Sequence, residues 1–167
     1  MVDVCRHESM FQGGVLGNGL ALHRWTVDTD TGRATDVEVD ARSDMELPSR
    51  DTRRTGREHR FGYFVQNRPA EDTVDLGGVI KHDYRTGERE VWEPGATEHG
   101  GEWLFVGGEG GEADDEGWLL SYVHDEATGD SRFVVLDATD VTSGPVASVA
   151  LPQRVPYGFH ATWVPER

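Results

Sequence analysis

Short runs rich in Val, Leu, Trp, Tyr and Phe recur along the chain between clusters of Gly, Asp and Thr, and the 3.6-residue repeat of an amphipathic helix is nearly absent. This pattern predicts an all-β protein. Three stretches share one design, in which a strand is followed by a turn that closes in Thr-Gly and then by a second strand. The first runs Leu20–Val27, turns over Asp28–Gly32 and returns through Ala34–Val39. The second runs Gly78–Tyr84, turns at Thr86-Gly87 and returns through Glu90–Trp92, and the third runs Trp118–His124, turns at Thr128-Gly129 and returns through Arg132–Leu136. Glycine at the end of such a turn supplies the positive φ that a bulged hairpin loop requires.

Gly32, Gly87 and Gly129 lie 55 and then 42 residues apart, close to the repeat length of β-propeller blades. A propeller closes with about four to eight blades, and this chain holds material for about three. The repeat therefore predicts a partial propeller, and an incomplete chain. A β-sandwich built from the same hairpins would close at this length and is the structural alternative. Asp44–Arg60, polar and interrupted by Pro48, reads as a loop with room for one helical turn. Gly107–Gly117 reads as an acidic loop. Its carboxylates lack the spacing of an EF-hand, so a solvated turn is expected there rather than a calcium site.

The chain has 167 residues and a formal charge of −15, from 16 basic and 31 acidic side chains; Lys81 is its only lysine. Such a balance excludes nucleic acid as a partner, because phosphate binding needs clustered Lys and Arg to displace counterions. Adaptation to high salt and a coding bias toward Arg, Asp, Glu and Gly both produce this composition. No apolar run approaches the roughly 20 residues needed to span a bilayer. Peripheral membrane contact is not indicated either. The start, Met1-Val2-Asp3-Val4-Cys5-Arg6, lacks the features of an export signal, so a cytoplasmic location is the expectation. Cys5, the single cysteine, has no partner for a disulfide or a paired-Cys metal site.

A nucleophile elbow, a phosphate loop and a paired-Cys motif are all missing from the sequence, which leaves histidine to carry chemistry. His7, His23, His59, His82, His99, His124 and His160 fit no local chelating spacing, so any metal site has to be assembled by the fold. His82 and His124 each stand four residues before the Thr of a Thr-Gly turn and are expected at strand ends on the surface. His23 alternates with Ala21, Trp25 and Val27, as a hydrogen-bonded core histidine would. His7, His59 and His99 lie in loop-like surroundings and receive no role. His160 is bracketed by prolines in Leu151-Pro-Gln-Arg-Val-Pro-Tyr-Gly-Phe-His160-Ala-Thr-Trp-Val-Pro165; a lone histidine in that position is ordinarily structural.

The segment Pro156-Tyr-Gly-Phe-His160-Ala-Thr-Trp163 resembles the C-terminal motif of the carotenoid cleavage oxygenase family, the retinal pigment epithelial membrane protein-like proteins. Leu22-His-Arg-Trp25, Met45-Glu-Leu-Pro48, Arg60-Phe-Gly-Tyr63, Lys81-His-Asp-Tyr-Arg-Thr-Gly87, Gly101-Glu-Trp-Leu-Phe-Val106, Asp114-Asp-Glu-Gly-Trp-Leu-Leu-Ser-Tyr122 and Val134-Val-Leu-Asp-Ala138 match further landmarks in order, so the resemblance spans essentially the whole chain. It implies a seven-bladed β-propeller of several hundred residues, with residues 1–167 supplying the C-terminal portion, about the last three blades. It also implies an Fe(2+) centre held by four histidines, of which His160 is the last and the other three lie upstream. By the same resemblance Glu102 and Glu46 are carboxylates that support iron-bound histidines: Glu102 supports His160, and Glu46 supports one absent from this chain. Trp103 departs from the family's proline after Glu102, and Ala161 from its glycine after the ligand. The implied reaction is cleavage of a conjugated C=C bond in a carotenoid or apocarotenoid by O2, with a stilbene-type substrate as the near alternative, and this chain alone is expected to be inactive. From another class, the rival reading is a non-catalytic all-β binding module or a degenerate fragment.

Overall fold

The computed structural model describes residues 1–8, 20–42, 44–68, 70, 74–110 and 112–164. Strands β1 (Val2–Arg6), β2 (Ala21–Val27) and β3 (Ala34–Asp40) form a first antiparallel sheet in that order. A second antiparallel sheet follows, built from β4 (Met45–Ser49), β5 (Phe61–Arg68), β6 (Asp75–Asp83) and β7 (Arg89–Trp92), again in chain order. The third contains β8 (Glu98–His99), β9 (Leu104–Gly107), β10 (Gly117–Asp125), β11 (Ser131–Asp137) and β12 (Pro145–Ala150), in the order β12-β11-β10-β8 with β9 also paired to β10. Each sheet comes from one contiguous stretch of chain, as the blades of a partial propeller do; the two-layer sandwich is not what forms.

The three expected hairpins are present, and their turns are built alike. In each, an Asp side chain accepts a hydrogen bond from the backbone two residues on: Asp28 from Asp30 (2.9 Å), Asp83 from Arg85 (2.8 Å) and Asp125 from Ala127 (3.0 Å). The glycine N–H then donates to the carbonyl of that same Asp at 2.8 Å in all three. Gly32, Gly87 and Gly129 adopt φ of 68°, 75° and 78°, a region closed to most L-residues. The repeat seen in the sequence is therefore an Asp-x-x-Thr-Gly turn that encodes its own hydrogen bonds.

Asp44–Arg60 departs from the loop expectation. Its first part is strand β4, followed by a 3₁₀ turn at Thr52–Arg54 that Asp51 caps by accepting from Arg53 N–H at 2.9 Å. Pro48 disguised the strand. β4 lies at a sheet edge and pairs only with β5, so the missing proline N–H breaks no ladder bond, and the register shifts between Glu46 and Ser49.

Alternation along β5 explains the stacking of the sheets. Phe64, with Ile80 and Met45, packs against Leu22 of the first sheet, while Tyr63, Val65 and Val79 pack against Trp103, Phe105, Leu119, Val123, Val134 and Leu136 of the third. The middle sheet is thus apolar on both faces, and the near-continuous run Phe61–Val65 reflects that. The far faces of the outer sheets stay open: Val2, Trp25 and Val27 are 55%, 41% and 51% exposed on the first, and Trp118, Tyr122 and Val149 are 43%, 49% and 55% exposed on the third. Of the alternating residues Ala21, His23, Trp25 and Val27, which share the face opposite Leu22, only Ala21 and His23 are buried.

Candidate metal centre

Glu102 follows β8 in the turn Gly100-Gly101-Glu102. Gly100 N–H donates to the Leu76 carbonyl at 2.8 Å, and a Cβ at Gly100 would lie 2.1 Å from the Gly77 carbonyl oxygen. Only glycine permits that approach, which clamps the turn onto the second sheet. On its other side the turn is anchored by Trp103, fully buried and edge-on to Trp92 at 5.4 Å between ring centroids. A core residue therefore stands where the family's proline is expected, and it holds Glu102 in place.

The carboxylate of Glu102 meets the tail that carries His160. Oε1 lies 3.7 Å from His160 Nδ1, a contact longer than a hydrogen bond, and Oε2 accepts from Ala161 N–H. Glu102 is largely covered, with its side chain 14% exposed, whereas the His160 side chain is 80% exposed. A cavity of about 200 Å³ opens here, lined among others by His99, Glu102, Ser121, His124, Tyr157 and His160. The expected pair is brought together, with the imidazole open to solvent.

Glu46 also meets a histidine, though one with no role assigned from the sequence. Its Oε1 accepts from His7 Nε2–H, and its Oε2 accepts from Leu47 N–H at 3.1 Å. Both residues are half-buried, with side-chain exposures of 5% for His7 and 16% for Glu46. Leu47 has φ of 46°, the one non-glycine residue in the left-handed region among the described residues, so the backbone beside Glu46 is strained. No spacing signal links residues 39 positions apart; the contact arises because β1 and β4 lie side by side.

The remaining histidines follow the acid excess. His23 donates from Nδ1 to Asp36 at 2.6 Å, His99 from Nδ1 to Asp75 at 2.8 Å, and His59 lies 3.4 Å from Asp3. His82 overturns the surface expectation: it is fully buried, neither ring nitrogen has a hydrogen-bond partner among the described residues, and Asp40 lies 3.7 Å from Nδ1. Burial pushes its pKa below the usual 6.5 despite the pull of Asp40. His124, at the equivalent repeat position, is only half-buried. The difference lies in the sheets, since β6 is covered on both faces and β10 on one. Cys5 is an inert thiol, its pKa pushed up to about 12 by burial, with Glu46 adding to the shift. In the acidic loop, Asp115 pairs with Lys81 at 3.0 Å and Asp114 accepts from Arg60 N–H, so these carboxylates tie the loop to the second sheet.

Among the described residues, no cluster of three or more His, Cys, Asp or Glu side chains is arranged to hold a metal ion. The donor chemistry at His160 nonetheless suits one ligand of a larger set. A carboxylate faces Nδ1, and no described residue engages Nε2.

Comparison with known proteins finds relatives named as carotenoid-cleaving enzymes. Residues 4–165 match the family described as retinal pigment epithelial membrane protein. The chain is 34% identical over 161 residues to carotenoid 9,10(9',10')-cleavage dioxygenase 1 of Arabidopsis thaliana, covering 89% of this chain and 29% of that protein. It is 33% identical over 174 residues to a carotenoid cleavage oxygenase of Mycobacterium tuberculosis, covering 99% and 34%. The chain thus spans about a third of the length of these relatives. In structure it resembles cobalt-substituted apocarotenoid oxygenase of Synechocystis (TM-score 0.79, 28% identity, 89% of this chain and 31% of that one) and lignostilbene dioxygenase of Pseudomonas brassicacearum (0.77, 26%, 89% and 33%).

Proposed function

The chain belongs to the carotenoid cleavage oxygenase family, and from that premise we propose that it supplies the closing part of a non-haem iron(II) dioxygenase that splits a conjugated C=C bond of a carotenoid or apocarotenoid. The proximity of Glu102 and His160 supports this reading, because it brings two residues 58 positions apart to 3.7 Å, from which a small shift gives the carboxylate–imidazole hydrogen bond of a supported metal ligand. His160 would hold the metal. Glu102, facing Nδ1, would fix the tautomer that leaves Nε2 as the donor and would raise its basicity. Glu46, whose carboxylate here accepts from His7 and from Leu47 N–H, would do the same for a histidine of the centre that lies outside residues 1–167. Bound iron(II) supplies the activation of O2. Phe159 and Trp163, both exposed beside His160, offer apolar surface suited to a polyene.

One imidazole and one carboxylate are too few to hold iron(II) against water. The isolated 167-residue chain is therefore expected to purify with far less than one iron per chain and without activity; tight mononuclear iron would contradict the reading. The positive test is a chimera in which residues 4–165 replace the matching segment of the Synechocystis apocarotenoid oxygenase. It should bind iron and cleave an apocarotenoid, and His160→Ala should abolish both. Glu102→Gln should lower metal affinity or turnover roughly 10- to 100-fold. A folded chimera without iron overturns the proposal in favour of a non-catalytic module. The likeness to the lignostilbene dioxygenase supports a second substrate class, so the same chimera should be offered a stilbene in parallel.

A further inference from the structure

Beyond β12 the described residues, 151–164, have no regular secondary structure, and Tyr157, Phe159, His160 and Trp163 are 61%, 70%, 80% and 53% exposed. Burial therefore contributes little to the placement of this tail. Its backbone is instead tied at three points. Leu151 N–H donates to the Ser131 carbonyl at 2.9 Å, Val155 N–H donates to Ser131 Oγ at 3.0 Å, and Ala161 N–H donates to Glu102. Ser131, itself buried, stands opposite His124 in the β10–β11 register, and His124 stands opposite His99 on β8. These three side chains form one row across the third sheet.

Tyr157 rests on that row. Its ring is edge-on to His99 and to His124, at 6.4 Å and 6.0 Å between centroids. Arg154 lies over the Tyr157 ring at 5.6 Å and donates from Nε to His124 Nε2 at 3.3 Å. The second contact fits one tautomer: His124 gives its Nδ1 proton to the Asp130 carbonyl at 2.9 Å, which leaves Nε2 as the acceptor. His99 is held by Asp75, so both imidazoles of the platform are fixed before the tail arrives.

We propose that Ser131, Arg154 and Tyr157, with the His99–His124 pair beneath them, form a seat that sets the reach of the tail and thereby brings His160 to Glu102. They are positioning residues. Between the anchors at Val155 and Ala161 the chain contains Gly158, which has open space around it, so without a mid-point clamp this short loop would sample many conformations. Tyr157 is that clamp. The seat's functional meaning rests on His160 as a metal ligand, but its physical test does not.

Amide hydrogen exchange on the 167-residue chain provides the test. Tyr157→Ala and Ser131→Ala should each speed exchange at Val155 and Ala161 by roughly tenfold or more, while β10 and β11 amides and the melting temperature stay unchanged. Tyr157→Phe should behave as wild type, because the contacts are made by the ring. The ring nitrogen resonances of His160 should shift in Tyr157→Ala as they do in Glu102→Gln. A tail unprotected in the wild type, or a Tyr157→Ala variant with Ala161 still protected and His160 spectrally unchanged, overturns the seat. Loosened tails together with an iron-free chimera would instead retain the seat and remove the metal reading.

Discussion

At the scale of single residues, the fold is marked by charged groups held away from their ordinary protonation behaviour. His82 is kept neutral by burial, its pKa below 6.5 in the folded chain. The unfolded chain therefore binds more protons below pH 6.5, and stability should fall as pH drops from there toward the folded-state value. Denaturant midpoints measured between about pH 8 and 5 should show that loss, and His82→Gln should flatten it. A separate acid phase belongs to carboxylates. The Arg60 guanidinium holds Asp83 at about 2, and Asp3 and Asp40, though burial pushes them up, are drawn to about 2 by His59 and Arg24 and by Arg42 and Arg89 respectively. Their contribution is complete above pH 3.8 and is lost as pH falls through 3.8 toward 2, so the two phases should separate on the pH axis. The identity of the acidic partners could not be read from the sequence. With 31 carboxylates in the chain, nearly every histidine finds one, and only tertiary contact says which.

At the scale of elements, two glycines are required for different reasons. Gly87 has φ of 75° and open space around it, so Gly87→Ala meets only a backbone penalty and should cost about 1–2 kcal/mol in chemical denaturation. Gly100 has no positive-φ requirement, but a Cβ there would strike the Gly77 carbonyl at 2.1 Å. Gly100→Ala should cost more, about 3 kcal/mol, and should also raise exchange at the Gly100 amide bonded to Leu76. The hairpins were legible because the Asp-x-x-Thr-Gly turn makes its own hydrogen bonds within six residues. Strand β4 was not, because its proline and charges are tolerated only at an edge, and an edge is a property of the sheet rather than of the segment.

At the scale of the whole molecule, three stacked sheets leave the outer face of the first sheet, and the part of the third sheet's outer face beyond the tail, without a neighbour among the described residues. Trp25 and Val27 on one, and Trp118 and Tyr122 on the other, resemble the residues that pack the sheets together inside the chain, so these faces should associate. The isolated chain is expected to show concentration-dependent light scattering, reduced in Trp25→Asp and Tyr122→Asp; a wild type that stays monodisperse across concentrations would count against this. The sequence alone determined the three hairpins and the spacing of the blades, because each is written in local turns or in short runs of adjacent residues, whereas the link between Glu102 and the His160 motif is what the family resemblance implies. Only the tertiary structure decided that His7 pairs with Glu46, that His82 is buried while its repeat partner His124 is half-covered, and that a row of His99, His124 and Ser131 lies beneath the tail. Those outcomes depend on which faces other sheets cover, and burial of that kind is set by packing between distant segments.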